Sequence, residues 1–219
     1  MARYLILGAG KFGRLALARL AREDDAAGFL VVDRDPEALA ALGAGGGPRV
    51  RAEAVAYLVS HLGAGTQWDW IIPMVPQHVA FQWLTAGPLA RSDWRPAAAP
   101  EALARLAPVV RRGPQGEFYL SRARHLCPDD CAEPLVCPVT GESRERGLHQ
   151  ELAALDLPGC QVRVMASRQL APGVGGYPPR ELLALALALN PRDSVLIATA
   201  CRCHGVIHGL ARRAEGYGV

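Results

Sequence analysis

Lysine is almost missing from this chain: Lys11 is the single one among 24 basic residues. With abundant alanine, that skew reads as the codon bias of a GC-rich genome rather than as a functional signal. Aromatic residues make up only 6% and the net charge is +3, with arginines scattered among acids. No basic stripe interleaved with aromatics is present, which argues against nucleic acid as a partner. Long apolar runs are absent as well. The longest, Leu182 to Leu189, falls far short of the ~20 residues that span a bilayer. No membrane span is therefore expected, and the chain cannot itself be a channel. The first apolar segment begins at Arg3 and leaves no room for a signal peptide, so the expected location is cytoplasmic. In that reducing compartment the six cysteines are expected as metal ligands or reactive thiols rather than disulfides.

Half of the 219 residues are hydrophobic, ample for a buried core, and the first 33 carry the clearest signal. Arg3 to Gly8 reads as a short buried strand. Gly8-Ala-Gly10-Lys-Phe-Gly13 follows at once, and Arg14 to Arg22 has Leu15, Ala18 and Leu20 at helical spacing. A second apolar run, Phe29 to Val32, ends in Asp33. Strand, glycine turn, helix, strand and acid in this order make a dinucleotide-binding unit. Gly8 allows the tight turn, Gly10 admits a pyrophosphate close to the backbone, and Gly13 lets the helix pack on the strand. Free N–H groups at the helix start, around Lys11 and Phe12, face the anion. Asp33 can accept hydrogen bonds from an adenine ribose and favours NAD, because a carboxylate repels a 2′-phosphate. Arg34 beside it keeps NADP open.

Leu5-Ile-Leu-Gly-Ala-Gly-Lys-Phe-Gly-Arg14, with Val31-Val-Asp-Arg-Asp-Pro36 downstream, resembles the NAD-binding domain of TrkA-type potassium-transport regulators, also called RCK or TrkA-N domains. The resemblance covers roughly the first 45 residues and implies a Rossmann fold and an NAD-type nucleotide. It does not carry over potassium regulation.

Further along, helices are expected at Pro36 to Leu42 and Glu53 to Leu62, with a weak strand at Val50 to Ala52 between them. A fourth strand is expected at Trp68 to Val75 and a helix from Val79 to Leu84. This alternation predicts an α/β fold, a doubly wound, mostly parallel Rossmann-type sheet with a cysteine-rich loop insertion. The expected parts are a dinucleotide-binding half at 1–121, a metal-binding loop region at 122–160, and a C-terminal α/β part at 161–219 that completes the sheet. Within these lie a helix at Pro100 to Leu106 and a strand at Phe118 to Ser121, with a long loop over Cys127 to Gly147. The C-terminal part is expected to hold a strand at Gln161 to Ala166, a glycine-rich turn at Gly173 to Gly176, a helix from Arg180 to Leu189, a strand at Ser194 to Thr199 and a last helix from His204 to Arg213.

Cys127, Cys131 and Cys137 fall within eleven residues, and two of them precede prolines that favour tight ligand loops. Their spacing is neither the C-x2-C of zinc ribbons nor the run of bacterial ferredoxins. An iron–sulfur cluster or zinc is expected, with Cys203, Cys201, His204 or Cys160 as the fourth ligand. Cys201-Arg-Cys203-His204 is placed at a helix start, where the dipole would favour a thiolate. Cys203 and His204 are thus candidate catalytic groups. His78, after the fourth strand, is placed to face a nicotinamide or substrate as an acid or base. All these segments follow expected strands and are expected to meet in one crevice. The reading is an NAD(P)-dependent oxidoreductase with a cysteine-ligated metal, acting on a small-molecule substrate and compatible with a homodimer. The alternative is a non-catalytic regulator that senses nucleotide or redox state.

Overall fold

A computed structural model describes residues 1–43, 46–189 and 194–213. The helix stop expected at Asn190-Pro191 lies outside them, as does part of the Gly43–Pro48 loop. Strands β1 (Arg3–Leu7), β2 (Gly28–Asp33), β3 (Arg49–Arg51) and β4 (Trp70–Pro73) form a parallel sheet in the order β3-β2-β1-β4. Helices α1 (Lys11–Glu23), α2 (Pro36–Ala40) and α3 (Ala54–His61) connect them, and α4 (Val79–Ala86) follows β4. Pro36 at the start of α2 and the Asp35 side chain, which accepts the Glu37 N–H, fix that helix start.

Strand periodicity sorts the buried side chains into two layers. Tyr4 and Ile6 of β1, Val31 of β2 and Ile72 of β4 meet Ala16, Leu17 and Leu20 of α1 on one face. Leu5, Leu7, Leu30, Val32 and Ile71 face the other way, onto α3 and α4. Beyond that helix layer stands a second sheet. It contains β6 (Val109–Arg112), β7 (Phe118–Ser121), β8 (Cys160–Ala166), β11 (Ser194–Ala200) and β12 (His204–Arg212), in the order β6-β7-β12-β11-β8. Strand β5 (Trp94–Ala97) also pairs with β12. Val195 and Ile197 of β11 point into the shared core, where α6 (Pro179–Leu187) adds Leu182 and Leu185. Leu196, Ala198 and Ala200 point outward and are covered by Leu148 and Leu152 of α5 (Leu148–Ala153).

The α/β class and the parallel order of β1 to β4 agree with the sequence reading. Two features differ. The C-terminal strands build their own mixed sheet instead of completing the first, because β12 runs antiparallel to β11, β7 and β5. And 204–212 is a strand, not a helix. Gly205 and Gly209 weaken a helix there, Val206 and Ile207 favour a strand, and the tight 201–203 turn folds the segment straight back onto β11. The expected glycine turn resolves into an antiparallel hairpin, β9 (Arg168–Ala171) and β10 (Val174–Gly176). Just past it, Tyr177 pairs with Ile71 at the edge of the first sheet, which ties the two halves together.

Candidate functional site

The glycine turn sits at the carboxyl end of β1. Gly8 has φ 108, and its N–H donates to Val32 O. Gly10 caps α1 with no side-chain hydrogen bond to the first turn, so the first amides of that helix point outward. A Cβ on Gly10 would meet nothing within 4 Å, whereas one on Gly13 would lie 1.9 Å from Gly8 O. Gly10 therefore faces open space and Gly13 is pressed against the turn. Asp33 reaches back to the turn: Oδ2 accepts the Ala9 N–H at 2.6 Å and Oδ1 the Asp35 N–H at 2.9 Å. Its carboxylate thus ties the end of β2 to the glycine turn. Arg34 follows it at the exposed end of β2.

The cysteine loop leaves β7 and folds back beside this turn. Lys11 Nζ pairs with Asp129 Oδ2 at 2.6 Å, and Arg19 donates to the carbonyls of Asp129 and Pro172. Gly173, at φ 69, brings the β9–β10 turn so close that a Cβ there would sit 1.8 Å from Asp129 O. Cys131 is gripped through its backbone, since its carbonyl accepts from Gly173 N and Gln169 Nε2. Arg202 Nη1 donates to Arg144 O at 2.7 Å and fastens the other end of the loop to the β11–β12 turn.

These ties enclose a cavity of about 540 Å³ lined by Cys127, Cys131, Cys137 and Cys203, together with Phe12 of the glycine turn. The glycine turn, the cysteine loop and the 201–204 turn therefore do meet, although across two sheets rather than along the edge of one. Burial and the neighbouring Cys131, Cys203 and Cys137 push the Cys127 thiol up, against the opposing pull of Arg144. Two sulfurs are held in the same local geometry. Cys137 Sγ receives the Thr140 hydroxyl and the N–H groups of Thr140 and Val139, which hold its thiol below the ordinary value. Cys201 Sγ receives the N–H groups of Cys203 and His204. Amides two and three residues on thus donate to each sulfur; they favour the Cys137 thiolate, whereas at Cys201 burial and the neighbouring Glu133 outweigh them and push the thiol up.

The strongest electrostatic feature is Arg144, whose side chain is only 3% exposed. Its Nη1 lies 3.5 Å from Cys203 Sγ, and its Nη2 donates to Glu142. A buried guanidinium needs anionic partners: the Glu142 carboxylate supplies one, and the Cys203 sulfur faces the other nitrogen. With no helix after Cys203, the dipole argument for that thiol falls, and Arg144 takes its place. Burial raises the Cys203 thiol and Arg144 opposes it.

Three residues of the site escaped the sequence reading. His125 Nε2 lies 3.9 Å from Cys127 Sγ and 4.0 Å from Cys137 Sγ. Its position two residues before Cys127 was the available signal. Arg144 and Glu133 gave none. Two expected participants lie elsewhere. Cys160, proposed as a fourth ligand, opens β8 and packs with the core around α5. His78, expected to face a nicotinamide, is 4% exposed and sits inside the shared core. Its Nδ1 is 2.9 Å from His208 Nδ1 and its Nε2 is 2.9 Å from Thr199 Oγ1. It caps α4 at a point where the second sheet covers it.

That buried pair has a measurable consequence. Burial, then the charge of His208, drives His78 well below its ordinary value, and burial lowers His208 as well. The unfolded chain therefore binds protons that the folded one refuses. Stability is full above about pH 6.5 and falls on acidification. Between pH 6.5 and 5.0 each imidazole that stays neutral removes up to about 2 kcal/mol. Urea unfolding at the two pH values should show this slope, and His78→Gln should flatten it. Parallel losses in both proteins would refute the assignment.

The fold and the cavity define the class: an α/β protein of two sheets, with a glycine turn at one wall of a thiol-lined cavity. The chain belongs to the AF_1314_C family, described as "Uncharacterized protein, C-terminal domain", which matches residues 76–213. That span contains all six cysteines and leaves β1 to β4 outside it. An "Uncharacterized protein" of Archaeoglobus fulgidus is 30% identical over 226 residues, covering 95% of this chain and 99% of the relative. The similarity therefore runs through the glycine-turn half as well. No solved structure matches. Among the described residues no helix is long and apolar enough to cross a membrane.

Proposed function

We propose that the protein binds NAD(H) or NADP(H) at the glycine turn, holds a metal through Cys127, Cys131, Cys137 and Cys203, and works as an oxidoreductase. One observation carries this reading: the thiols line a single cavity whose wall includes Phe12, one residue into the helix that would hold the pyrophosphate. Gly8, Gly10 and Gly13 shape the cradle, and the amides of Lys11 and Phe12 present their N–H groups to the anion. Asp33 fixes the turn and offers its remaining lone pairs to a ribose, and Arg34 leaves a 2′-phosphate possible. Phe12, half exposed, presents an apolar face at the cavity mouth.

Four thiolates suit an iron–sulfur cluster or zinc, and Arg144 offsets their charge. Such a centre would supply electron acceptance or Lewis acidity at the end of a bound nicotinamide. Burial lowers His204, which keeps its imidazole neutral, with Nε2 3.9 Å from Cys127 Sγ where it would pass a proton. A small-molecule substrate would enter through the cavity mouth.

A second reading is favoured by the Lys11–Asp129 ion pair. Nucleotide at the helix start would compete for Lys11 and loosen the cysteine loop, as suits a nucleotide- and redox-sensing regulator of the TrkA-N type. One variant tests the nucleotide site common to both readings. Gly10→Ala fills open space and should leave stability within about 0.5 kcal/mol. It should weaken NADH binding roughly tenfold or more, about 1.4 kcal/mol, in a fluorescence titration. Unchanged affinity would remove the glycine turn from both readings. Turnover of NADH with an electron acceptor then separates enzyme from regulator.

A further inference from the structure

We propose that Glu133, Cys201 and His204 form a second, mixed-ligand site for a divalent cation of the zinc type, separate from the four-thiol site and open to the same cavity. One donor atom from each lies within 4.8 Å of the other two. The three come from two different segments, the cysteine loop and the β11–β12 turn, and the Arg202 backbone joins those segments: its N–H donates to Glu133 Oε2 at 3.2 Å.

Local contacts hold each donor in place. Glu133 has φ 49, the one positive φ outside glycine among the described residues. Such a backbone is strained in a residue with a Cβ, and it turns the carboxylate toward Cys201 rather than toward solvent. Cys201 Sγ is fixed by the His204 N–H at 3.3 Å. The imidazole of His204 stands between two sulfurs, with Nδ1 4.0 Å from Cys201 Sγ and Nε2 3.9 Å from Cys127 Sγ. Its Nδ1 therefore belongs to the mixed set, and its other nitrogen faces the thiol loop.

The donor chemistry separates the two sites. A carboxylate, a thiolate and a neutral imidazole balance the charge of a divalent cation, whereas four thiolates exceed it by two. Three protein ligands of mixed type leave one coordination position free, the pattern of catalytic rather than structural zinc. All three residues line the cavity, so the free position opens where a substrate would enter, fit for a carbonyl or carboxylate oxygen. This site shares the cavity with the proposed thiol site but does not depend on it.

The test is a cobalt(II) titration of the full chain, stripped of metal and kept anaerobic, followed in the visible spectrum, with zinc content as a second readout. Wild type should take up two equivalents. Glu133→Gln and Cys201→Ser should each take up one, with the spectrum of the thiol site retained, and Cys131→Ser should take up one with the complementary spectrum. One equivalent in wild type, lost in Cys131→Ser and unchanged in Glu133→Gln, overturns the mixed site and leaves the thiol site standing. One equivalent lost in Glu133→Gln and Cys201→Ser but kept in Cys131→Ser supports the mixed site and removes the other. One equivalent lost in every variant, or none at all, overturns the proposal. Glu133→Gln keeps an oxygen for the Arg202 N–H, so a folding failure there is not expected.

Discussion

Replacing Gly13 by alanine is expected to destabilise the protein by about 3–4 kcal/mol, enough to leave much of it unfolded. Helix propensity points the other way, since alanine gains about 1 kcal/mol over glycine in a helix. Sterics decide. The added Cβ would stand 1.9 Å from Gly8 O and 2.8 Å from Gly8 C, and both are backbone atoms that cannot swing aside. Relief requires α1 to lift from β1, which opens the layer where Ala16, Leu17 and Leu20 meet Tyr4, Ile6 and Val31. Gly10→Ala, three residues away in the same turn, is the control, because its Cβ meets nothing. Urea unfolding of the two variants should differ by most of the full effect. Equal stabilities would mean that the turn is looser than drawn.

The second large effect is expected at Cys203. If the proposed thiol site holds a metal, Cys203→Ala should lower metal retention by more than the 10- to 100-fold typical of losing a partner behind a ligand, because it removes one of the four proposed ligands and the sulfur beside Arg144. Arg144 keeps its Glu142 partner, so the lost sulfur contact should cost only about 1–2 kcal/mol of stability. Cys160→Ala removes a thiol from the far side of the second sheet and should keep the full metal content. Metal analysis of both variants, purified without oxygen, makes the comparison. Equal losses would place the metal outside the cavity.

What the sequence disclosed followed the range of the interactions. The glycine turn was legible because its geometry is local: Gly8, Gly10, Gly13 and Asp33 act within one strand–helix–strand unit. Cys127, Cys131, Cys137 and Cys203 were legible as candidate site residues by residue type, and the proline spacing marked the loop that brings three of them to the cavity. The strand at 204–212 was misread as a helix because its pairing with β11, β5 and β7 is tertiary, and an apolar segment with two histidines four residues apart satisfies a helical period equally well. The same misreading moved the support of Cys203 from Arg144, 59 residues away, to a helix end that does not exist. His78 was misplaced for a related reason. The rule that ligands sit beyond strand ends assumes an open edge, and here a second sheet covers the edge after β4, so a buried histidine pair occupies the position.

The most direct test of a nucleotide-linked thiol centre is metal content and visible absorption of protein purified without oxygen, before and after NADH is added. The account predicts bound metal, with the absorption of an iron–sulfur centre that bleaches on NADH addition. Metal-free, colourless protein whose spectrum NADH leaves unchanged would contradict it.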